Sequence, residues 1–363
     1  MTIIFLALFL VLATWLFMQH PKFGKAPEGA RLERMEQSPN FREGSFQNLS
    51  ETPQLAEDAS MAGVMFKFLF EKKDGVKPAD TLKFSKTDLK TLDKADEVYI
   101  WMGHSSYFIQ TGGKRFLVDP VLSGAASPLS FTTRAFPGSD VYKAEDIPEI
   151  DYLVISHDHW DHLDYETVTA LRSRIKHVIA PLGVGAHLEH WDFNPDTITE
   201  LDWYESVSFD NFVTFNAEPA RHFSGRGFKR NGTLWASYLL EIGGQKIYIG
   251  GDSGYDDHFK VIGKKYGSID LAILETGQYN SAWKYIHMIP GEQIQALKDL
   301  NAKRYIPVHN SKFALAMHTW KEPIEAVVKA NDGSIRIITP EIGEKVFWEN
   351  DSIQYDAWWK EFN

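Results

Sequence analysis

The chain has 363 residues, of which 44% are hydrophobic and 24% charged, a globular balance that is long enough for a large core. Its formal net charge of −11, with no basic run longer than that in Phe228–Arg230, argues against a nucleic-acid partner. The absence of cysteine excludes disulfides, thiolate metal ligands and a cysteine nucleophile, so any metal must be held by histidines and carboxylates.

The N-terminal segment is the most apolar part of the chain. Thr2–Met18 carries no charge, and its length is at the short end for a membrane-spanning helix. No basic residue precedes it and Ala13–Trp15 is a poor cleavage site, so we predict that residues 1–20 form an uncleaved anchor. A buried helix of a soluble domain is the alternative. Lys22 and Lys25 follow, which favours the cytoplasmic side for the rest of the chain, with the periplasm or the cell exterior as alternatives.

Two further regions follow the anchor. Residues 21–95 are polar, with Pro, Gly and Ser interspersed, and we interpret them as a linker and an irregular wrap over the domain surface. Within them, Met61–Phe70 has the pattern of a short packed helix. The dense core pattern begins near Glu97, and residues 96–363 are predicted to form one catalytic domain.

The catalytic region alternates apolar runs with turns, and Gly112-Gly113 and Gly243-Gly244 are predicted hairpin turns. Strand clusters followed by helices, twice over, predict an α/β fold with two sheets between helices. The predicted strands are Val98–Met102, Tyr107–Gln110, Arg115–Val118, Tyr152–Ser156, His177–Ala180, Leu234–Ile242, Gln245–Ile249, Asp270–Glu275 and Arg304–Val308. The predicted helices are Tyr165–Arg174, Tyr255–Lys265 and Pro290–Leu300.

The run His157-Asp-His-Trp-Asp-His162 directly follows a predicted buried strand. Because alternate residues of an extended backbone point the same way, His157 and His159 could hold one ion, while Asp161 and His162 could reach a second. A catalytic metal needs few protein ligands and an open position for water. A histidine-rich surface loop is the less favoured explanation, since burying several imidazoles without partners is costly.

Three further candidate ligands, His222, Asp252 and His309, each follow a predicted strand. Taken singly, a residue at a strand end is more often part of the core or the surface. Their joint placement favours one shared metal site, and the glycines before Asp252 would let the backbone approach that site closely.

From about Glu97 to Trp320 the chain resembles the metallo-β-lactamase superfamily, whose five motifs are matched in order. The resemblance implies an αββα four-layer sandwich with a dinuclear site at the sheet edges. Zinc is the favoured ion, and the two ions would hold a bridging hydroxide near neutral pH. The implied roles are His157, His159 and His222 on one metal, Asp161, His162 and His309 on the other, Asp252 bridging them, and Asp119, in Leu117–Pro120, orienting a ligand imidazole.

A narrower resemblance links the chain to the N-acyl-phosphatidylethanolamine-hydrolysing phospholipase D branch. In that branch a histidine before a Pro-Glu helix acts near the scissile phosphate, and His287 matches it, with Gly291 inserted between Pro290 and Glu292. A structural role for His287 is an equal alternative. The similar segments are Trp101–Ser106, Pro219–Phe223, Trp283–Pro290, Ile306–Asn310 and Phe313–Ala316, many of which lactonases acting on sugar phosphates share.

The branch implies a membrane-anchored phosphodiesterase that hydrolyses phospholipids, with His287 donating to the leaving alkoxide or to a phosphoryl oxygen. Arg221 and Arg226 are candidate phosphate contacts, with a solvated surface role as the alternative. His104 is a candidate support below the metals, although a purely structural role is favoured. A lactonase or other ester hydrolase on the same metal pair is the alternative function, and a non-catalytic metal-binding membrane protein is the second.

Overall fold

The computed structural model describes residues 2–71 and 74–362, in which the strands form two seven-stranded sheets and one short hairpin. The strands are β1 (Phe41–Arg42), β2 (Ser45–Phe46), β3 (Val98–Trp101), β4 (Tyr107–Thr111), β5 (Lys114–Val118), β6 (Ile150–Val154), β7 (Ile175–Pro181), β8 (Ile198–Leu201), β9 (Ser206–Phe209), β10 (Val213–Glu218), β11 (Ser237–Ile242), β12 (Gln245–Ile249), β13 (Leu271–Glu275), β14 (Arg304–Val308), β15 (Arg336–Ile337) and β16 (Lys345–Val346). The α-helices are α1 (Thr2–Met18), α2 (Ala30–Glu36), α3 (Met61–Phe70), α4 (Tyr165–Leu171), α5 (Gly185–His190), α6 (His258–Tyr266), α7 (Glu292–Asp299) and α8 (Glu322–Ala330).

Each large sheet is antiparallel in one half and parallel in the other. The first has the order β16-β3-β4-β5-β6-β7-β8 and is parallel from β5 to β8. The second has the order β15-β14-β13-β12-β11-β10-β9 and is parallel from β12 to β15. Gly112 and Gly113 join β4 to β5 with φ angles of 55° and 69°, as a tight two-residue hairpin turn requires.

The sheets pack face to face, and helices cover both outer faces. Buried side chains of the two sheets, such as Phe116 and Tyr238, share one core cluster. Outside the first sheet, α4 contributes Val168 to a second cluster, and outside the other sheet α6 and α7 contribute Phe259 and Leu297 to a third. This arrangement confirms the predicted αββα sandwich, and the predicted strands and helices are all present with small differences at their ends.

The segment before the first sheet packs on the domain in parts. Met35, Phe46 and Leu82 are buried in the core cluster between the sheets, as a wrap over the domain requires. The helix α3 forms at the predicted bounds and is capped by Ser60, whose hydroxyl accepts from the N–H of Gly63 at 3.1 Å. Its expected packing is wrong, because most of its apolar side chains are exposed.

The N-terminal helix α1 forms over the predicted anchor. Nowhere in residues 2–71 and 74–362 is a helix both long and apolar enough to cross a membrane. With 17 residues, α1 is about 26 Å long at 1.5 Å per residue, shorter than the ~30 Å hydrocarbon core of a bilayer. The predicted membrane-spanning helix is therefore not confirmed, while the large apolar side chains between Ile4 and Leu16 are exposed on the protein.

Candidate metal centre

The polar residues that follow the strands meet at one edge of the sandwich. Strand ends that share an edge bring residues far apart in sequence together, as in other sheets that carry sites at their carboxyl ends. The residue that follows or ends each strand is Asp119 for β5, His157 for β6, His222 for β10, Asp252 for β12, Glu275 for β13 and His309 for β14.

The first group of side chains consists of His157, His159 and His222, whose ligating atoms all lie within 4.8 Å of one another. Nε2 of His157 is 2.9 Å from Nδ1 of His159, and Nε2 of His222 is 3.3 Å from the same atom. Three imidazole nitrogens at this spacing form a pocket for one ion, and these are the three residues predicted to share a metal.

The second group consists of Asp161, His162 and His309, together with His104. Nε2 of His104 donates to Oδ2 of Asp161 at 2.9 Å, so His104 contacts a predicted ligand and could hold its carboxylate in place. Asp252 lies between the two groups, with Oδ2 3.1 Å from Nε2 of His162 and 3.9 Å from Nε2 of His157.

Hydrogen bonds from outside the cluster fix the orientation of the ligand imidazoles. Asp119 Oδ2 lies 2.8 Å from Nδ1 of His162. Nδ1 of His222 lies 2.9 Å from the carbonyl oxygen of Ile286, and because a carbonyl only accepts, this nitrogen carries the proton and leaves the Nε2 lone pair free. Such contacts set the tautomer and direction of a metal-binding histidine.

A glycine allows the two sheets to approach at this edge. Gly251, next to Asp252, has a φ of 60°, and a Cβ atom there would lie 2.8 Å from the Cβ of Ser156. The close approach predicted from the glycines before Asp252 is therefore present, and it brings Asp252 beside the histidine run.

The chemistry of this cluster fits divalent cations. Desolvation, reinforced by neighbouring imidazoles, holds the pKa of His157 and His222 well below the ordinary value, and desolvation lowers the pKa of His159 to about 4. The rings are therefore neutral at physiological pH, the form that binds metal. Among the residues described, the buried atoms Nε2 of His309 and Oδ1 of Asp252 have no hydrogen-bond partner. A bound cation could coordinate both atoms.

A cavity of about 270 Å³ opens onto the cluster, and we call it the metal-site cavity. We call the metal-cluster residues that line it the floor and the apolar residues that line it, some of them from α3, the apolar wall. The floor residues are His159, Asp161, His222, Asp252 and His309, the apolar wall residues are Leu55, Met61, Val64, Trp283, Ile286 and Leu315, and Arg230 and His287 also line the space.

Comparison with known proteins assigns the family. Residues 114–310 match the model of the beta-lactamase superfamily domain. The chain belongs to the metallo-β-lactamase superfamily. It is 32% identical over 270 residues to N-acyl-phosphatidylethanolamine-hydrolyzing phospholipase D 1 of Caenorhabditis elegans, covering 69% of this chain and 74% of that protein. It is therefore a metal-dependent hydrolase that belongs to the branch of that enzyme.

Two further proteins are similar to this metallo-β-lactamase-fold hydrolase. Over 97 residues it is 59% identical to outer membrane protein RomA of Klebsiella pneumoniae, which covers 27% of this chain and 74% of that protein. The solved structure of Igni18, a metallo hydrolase from Ignicoccus hospitalis, covers 69% of this chain and 97% of its own with a TM-score of 0.52. At 19% identity that likeness shows the shared fold alone.

The structure does not bring Arg221 or Arg226 to the metal-site cavity of the hydrolase. The guanidinium of Arg226 is buried, lies 4.0 Å from the ring centroid of Trp160, and donates to the backbone carbonyls of Lys22, Asp158 and Leu163. Arg221 donates to the hydroxyl of Thr52 and to backbone carbonyls. The arginine that lines the cavity is Arg230, which the sequence offered only as part of a short basic run.

Sequence reasoning also missed Glu275 of the hydrolase. Its Oε2 lies 2.5 Å from Nδ1 of His287, and the residue is fully buried. Burial raises the pKa of Glu275 well above the ordinary value and lowers the pKa of His287. The signal was available, because Glu275 ends a buried strand in the same way that Asp119, His157 and Asp252 follow theirs.

Replacing His159 with alanine should remove the ion held by the first group, because His159 contributes one of three clustered nitrogens. Metal content per chain after gel filtration, measured by inductively coupled plasma mass spectrometry, checks this. The matched control is His190→Ala, a histidine exposed at the end of α5, which should keep the wild-type content. An unchanged metal content in His159→Ala would exclude His159 as a ligand.

Proposed function

We propose that this hydrolase is a phosphodiesterase with two zinc ions that cleaves membrane phospholipids of the N-acyl-phosphatidylethanolamine type. The two-sided metal-site cavity carries the proposal, because cation-binding groups form its floor and apolar side chains form one wall. A phospholipid presents an anionic phosphoryl group beside acyl chains and matches both surfaces. The name of the Caenorhabditis elegans relative supports the same substrate class.

The residues that line the metal-site cavity have separate roles in this proposal. When bound, the two ions would supply Lewis acidity and activate water near neutral pH. The first histidine group would hold one ion, Asp161, His162 and His309 the other, and Asp252 would be shared between them. Arg230 would pair with phosphoryl charge at the cavity wall, where the amide oxygen of Gln54, 2.6 Å away, is its hydrogen-bond partner.

His287 would act on the phosphoryl group from the cavity wall. Its Nδ1 is engaged by Glu275, and the residue lines the metal-site cavity. With Nδ1 accepting from the carboxyl group of Glu275, whose pKa burial raises well above the ordinary value, Nε2 would carry the ring proton and donate it to a phosphoryl oxygen or to the departing alkoxide. His104, which reaches Asp161, would hold that carboxylate in place.

Hydrolysis of vesicles containing N-acyl-phosphatidylethanolamine in ¹⁸O-labelled water tests the reaction. Attack on phosphorus places one labelled oxygen in phosphatidic acid and leaves the N-acylethanolamine unlabelled, and mass spectrometry of both products reads this directly. His159→Ala should lose the activity. Faster turnover of a lactone panel than of the phospholipid and of bis(p-nitrophenyl) phosphate would instead support the lactonase alternative, and metal binding without turnover of any ester would support a non-catalytic role.

We also propose that α3 and α1 associate with a phospholipid surface. The apolar side chains of α3 begin inside the metal-site cavity with Met61 and continue outside it with Phe66 and Phe70, which are 61% and 69% exposed. A protein partner bound to this surface would block entry of the substrate to the metal-site cavity. A membrane surface at the same place would instead supply the phospholipid substrate. The uniformly apolar, exposed α1 suits insertion at the interface of a membrane.

The double substitution Phe66→Ser with Phe70→Ser should weaken co-sedimentation with phosphatidylcholine vesicles by at least about tenfold, since burying one phenylalanine contributes roughly 1.5–3 kcal/mol. Turnover of soluble bis(p-nitrophenyl) phosphate should stay at the wild-type value. Phe212→Ser is the matched control, because Phe212 is exposed in the β9–β10 turn, at the opposite end of β10 from His222. Equal vesicle binding by the double variant and this control would rule out α3 as the contact.

A further inference from the structure

The carboxylate of Glu275 is buried beside the metal centre without a lysine or arginine partner among the residues described. A buried carboxylate is costly unless hydrogen bonds satisfy its oxygens. Oε2 lies 2.5 Å from Nδ1 of His287, and Oε1 accepts from the backbone N–H of Met288 at 2.5 Å. One carboxylate therefore holds both the ring of His287 and the backbone that carries it.

Its distance from the cluster also makes Glu275 a potential metal ligand, because one of its oxygens lies within 4.8 Å of ligating atoms of Asp252, His287 and His309. The hydrogen bonds of Glu275 distinguish a metal ligand from a residue that positions His287. Within the described part of the chain, Nε2 of His309 is buried without a hydrogen-bond partner, and Oδ1 of Asp252 makes no hydrogen bond and lies 3.1 Å from Nδ1 of another predicted ligand, His309, as expected of atoms that bind a cation. Both oxygens of Glu275 are already engaged, as expected of a group that acts through its neighbour.

The segment around His287 is held from the opposite side as well. Nδ1 of His222 donates to the carbonyl of Ile286, while Glu275 holds the next peptide unit at Met288. The ring of His287 stacks on His309 with centroids 5.1 Å apart and meets the ring of His222 edge-on at 5.0 Å. Hydrogen bonds to the predicted metal ligand His222 and to Glu275 therefore hold this segment from two sides. The Nε2 atom of His287 remains available for a further contact.

We propose that Glu275 is the positioning residue for His287, fixing its Nδ1 so that its Nε2 faces the metal-site cavity. The inference rests on the proposed phosphodiesterase function for its activity readout. A displacement of an acting group by about 1 Å is enough to cost up to about 100-fold in rate, so the position of the carboxyl group of Glu275 should matter more than its ability to ionise.

Two substitutions separate the position of the carboxyl group from its ability to ionise. Glu275→Asp keeps the carboxyl group but withdraws it by one methylene, so it cannot reach both Nδ1 and the N–H of Met288. We expect a fall in kcat of roughly 10- to 100-fold with KM and metal content unchanged. Glu275→Gln keeps the length, its amide oxygen can accept from Met288, and its NH₂ can donate to Nδ1, so kcat should stay within about threefold of wild type. The control is Glu292→Asp, whose carboxylate accepts from Ile289 in the same loop without reaching His287.

A double-mutant cycle completes the test. Because Glu275 is proposed to act through His287, Glu275→Asp should cause no further loss of kcat in a His287→Ala background. Loss of metal from Glu275→Gln would overturn the proposal in favour of a ligand role, and a wild-type kcat in Glu275→Asp would overturn it outright. A wild-type enzyme inactive on every phosphodiester would contradict the proposed function instead. The position of Glu275 would then be read from the ¹⁵N shifts of the His287 ring, which should change in Glu275→Asp and be preserved in Glu275→Gln.

Discussion

Each imidazole in the candidate metal centre has two nitrogens, and in several of them one nitrogen is already committed to a group outside the cluster. Asp119 engages His162, the carbonyl of Ile286 engages His222, and the hydroxyl of Ser105 lies 2.9 Å from Nδ1 of His309. A histidine with one nitrogen occupied presents a single lone pair in a single direction. The convergence of those directions, more than the number of histidines, makes this a site for cations.

That convergence depends on the rigidity of the sandwich behind it. The residues that carry the site end or follow strands whose side chains are buried on both faces, as in β13, where all five residues are buried, and β14, where the last four are. Packed interiors resist small displacements, so the strand ends keep their spacing. Within the cluster, desolvation lowers the pKa of most imidazoles, so the fold holds neutral, metal-ready histidines even though burying them is unfavourable without a cation.

The sequence predicted the elements whose apolar pattern is continuous and missed those whose pattern is weak. The edge strand β9 has alternating exposed and half-buried residues and no apolar run, and α5 spans only six residues and begins with Gly185. Helix α3 was predicted with correct bounds but wrong packing, because a local pattern shows that a face is apolar and does not show what covers it. For α1 the apolar run Thr2–Met18 also matched the bounds of the helix, and the same limit applied to what surrounds that helix.

For the candidate site, short sequence motifs predicted where the backbone of a functional residue lies. They did not predict where the end of a long side chain lies. Histidines and aspartates at strand ends have short reach, so their position in sequence nearly determines where they act. Arginine side chains are long, so their position in sequence does not determine where they act. Arg221 and Arg226 were predicted to contact phosphate because they are near His222 in sequence, but their guanidinium groups donate to backbone carbonyls. Glu275 was overlooked for a different reason, because its one signal is its place at the end of β13, and none of the recognised motifs includes that position.

The residues that form the metal-site cavity come from more of the chain than the family domain. The superfamily match spans residues 114–310, yet Leu55, Met61 and Val64 of the preceding segment supply part of the apolar wall, and His104 reaches Asp161 from outside the match. The ligands that determine the chemistry therefore lie within the shared domain, apart from what His104 adds. Part of the apolar wall of the proposed substrate site is therefore built by a segment outside the matched domain, so we expect substrate class to depend on the N-terminal wrap as well as on the metal motifs.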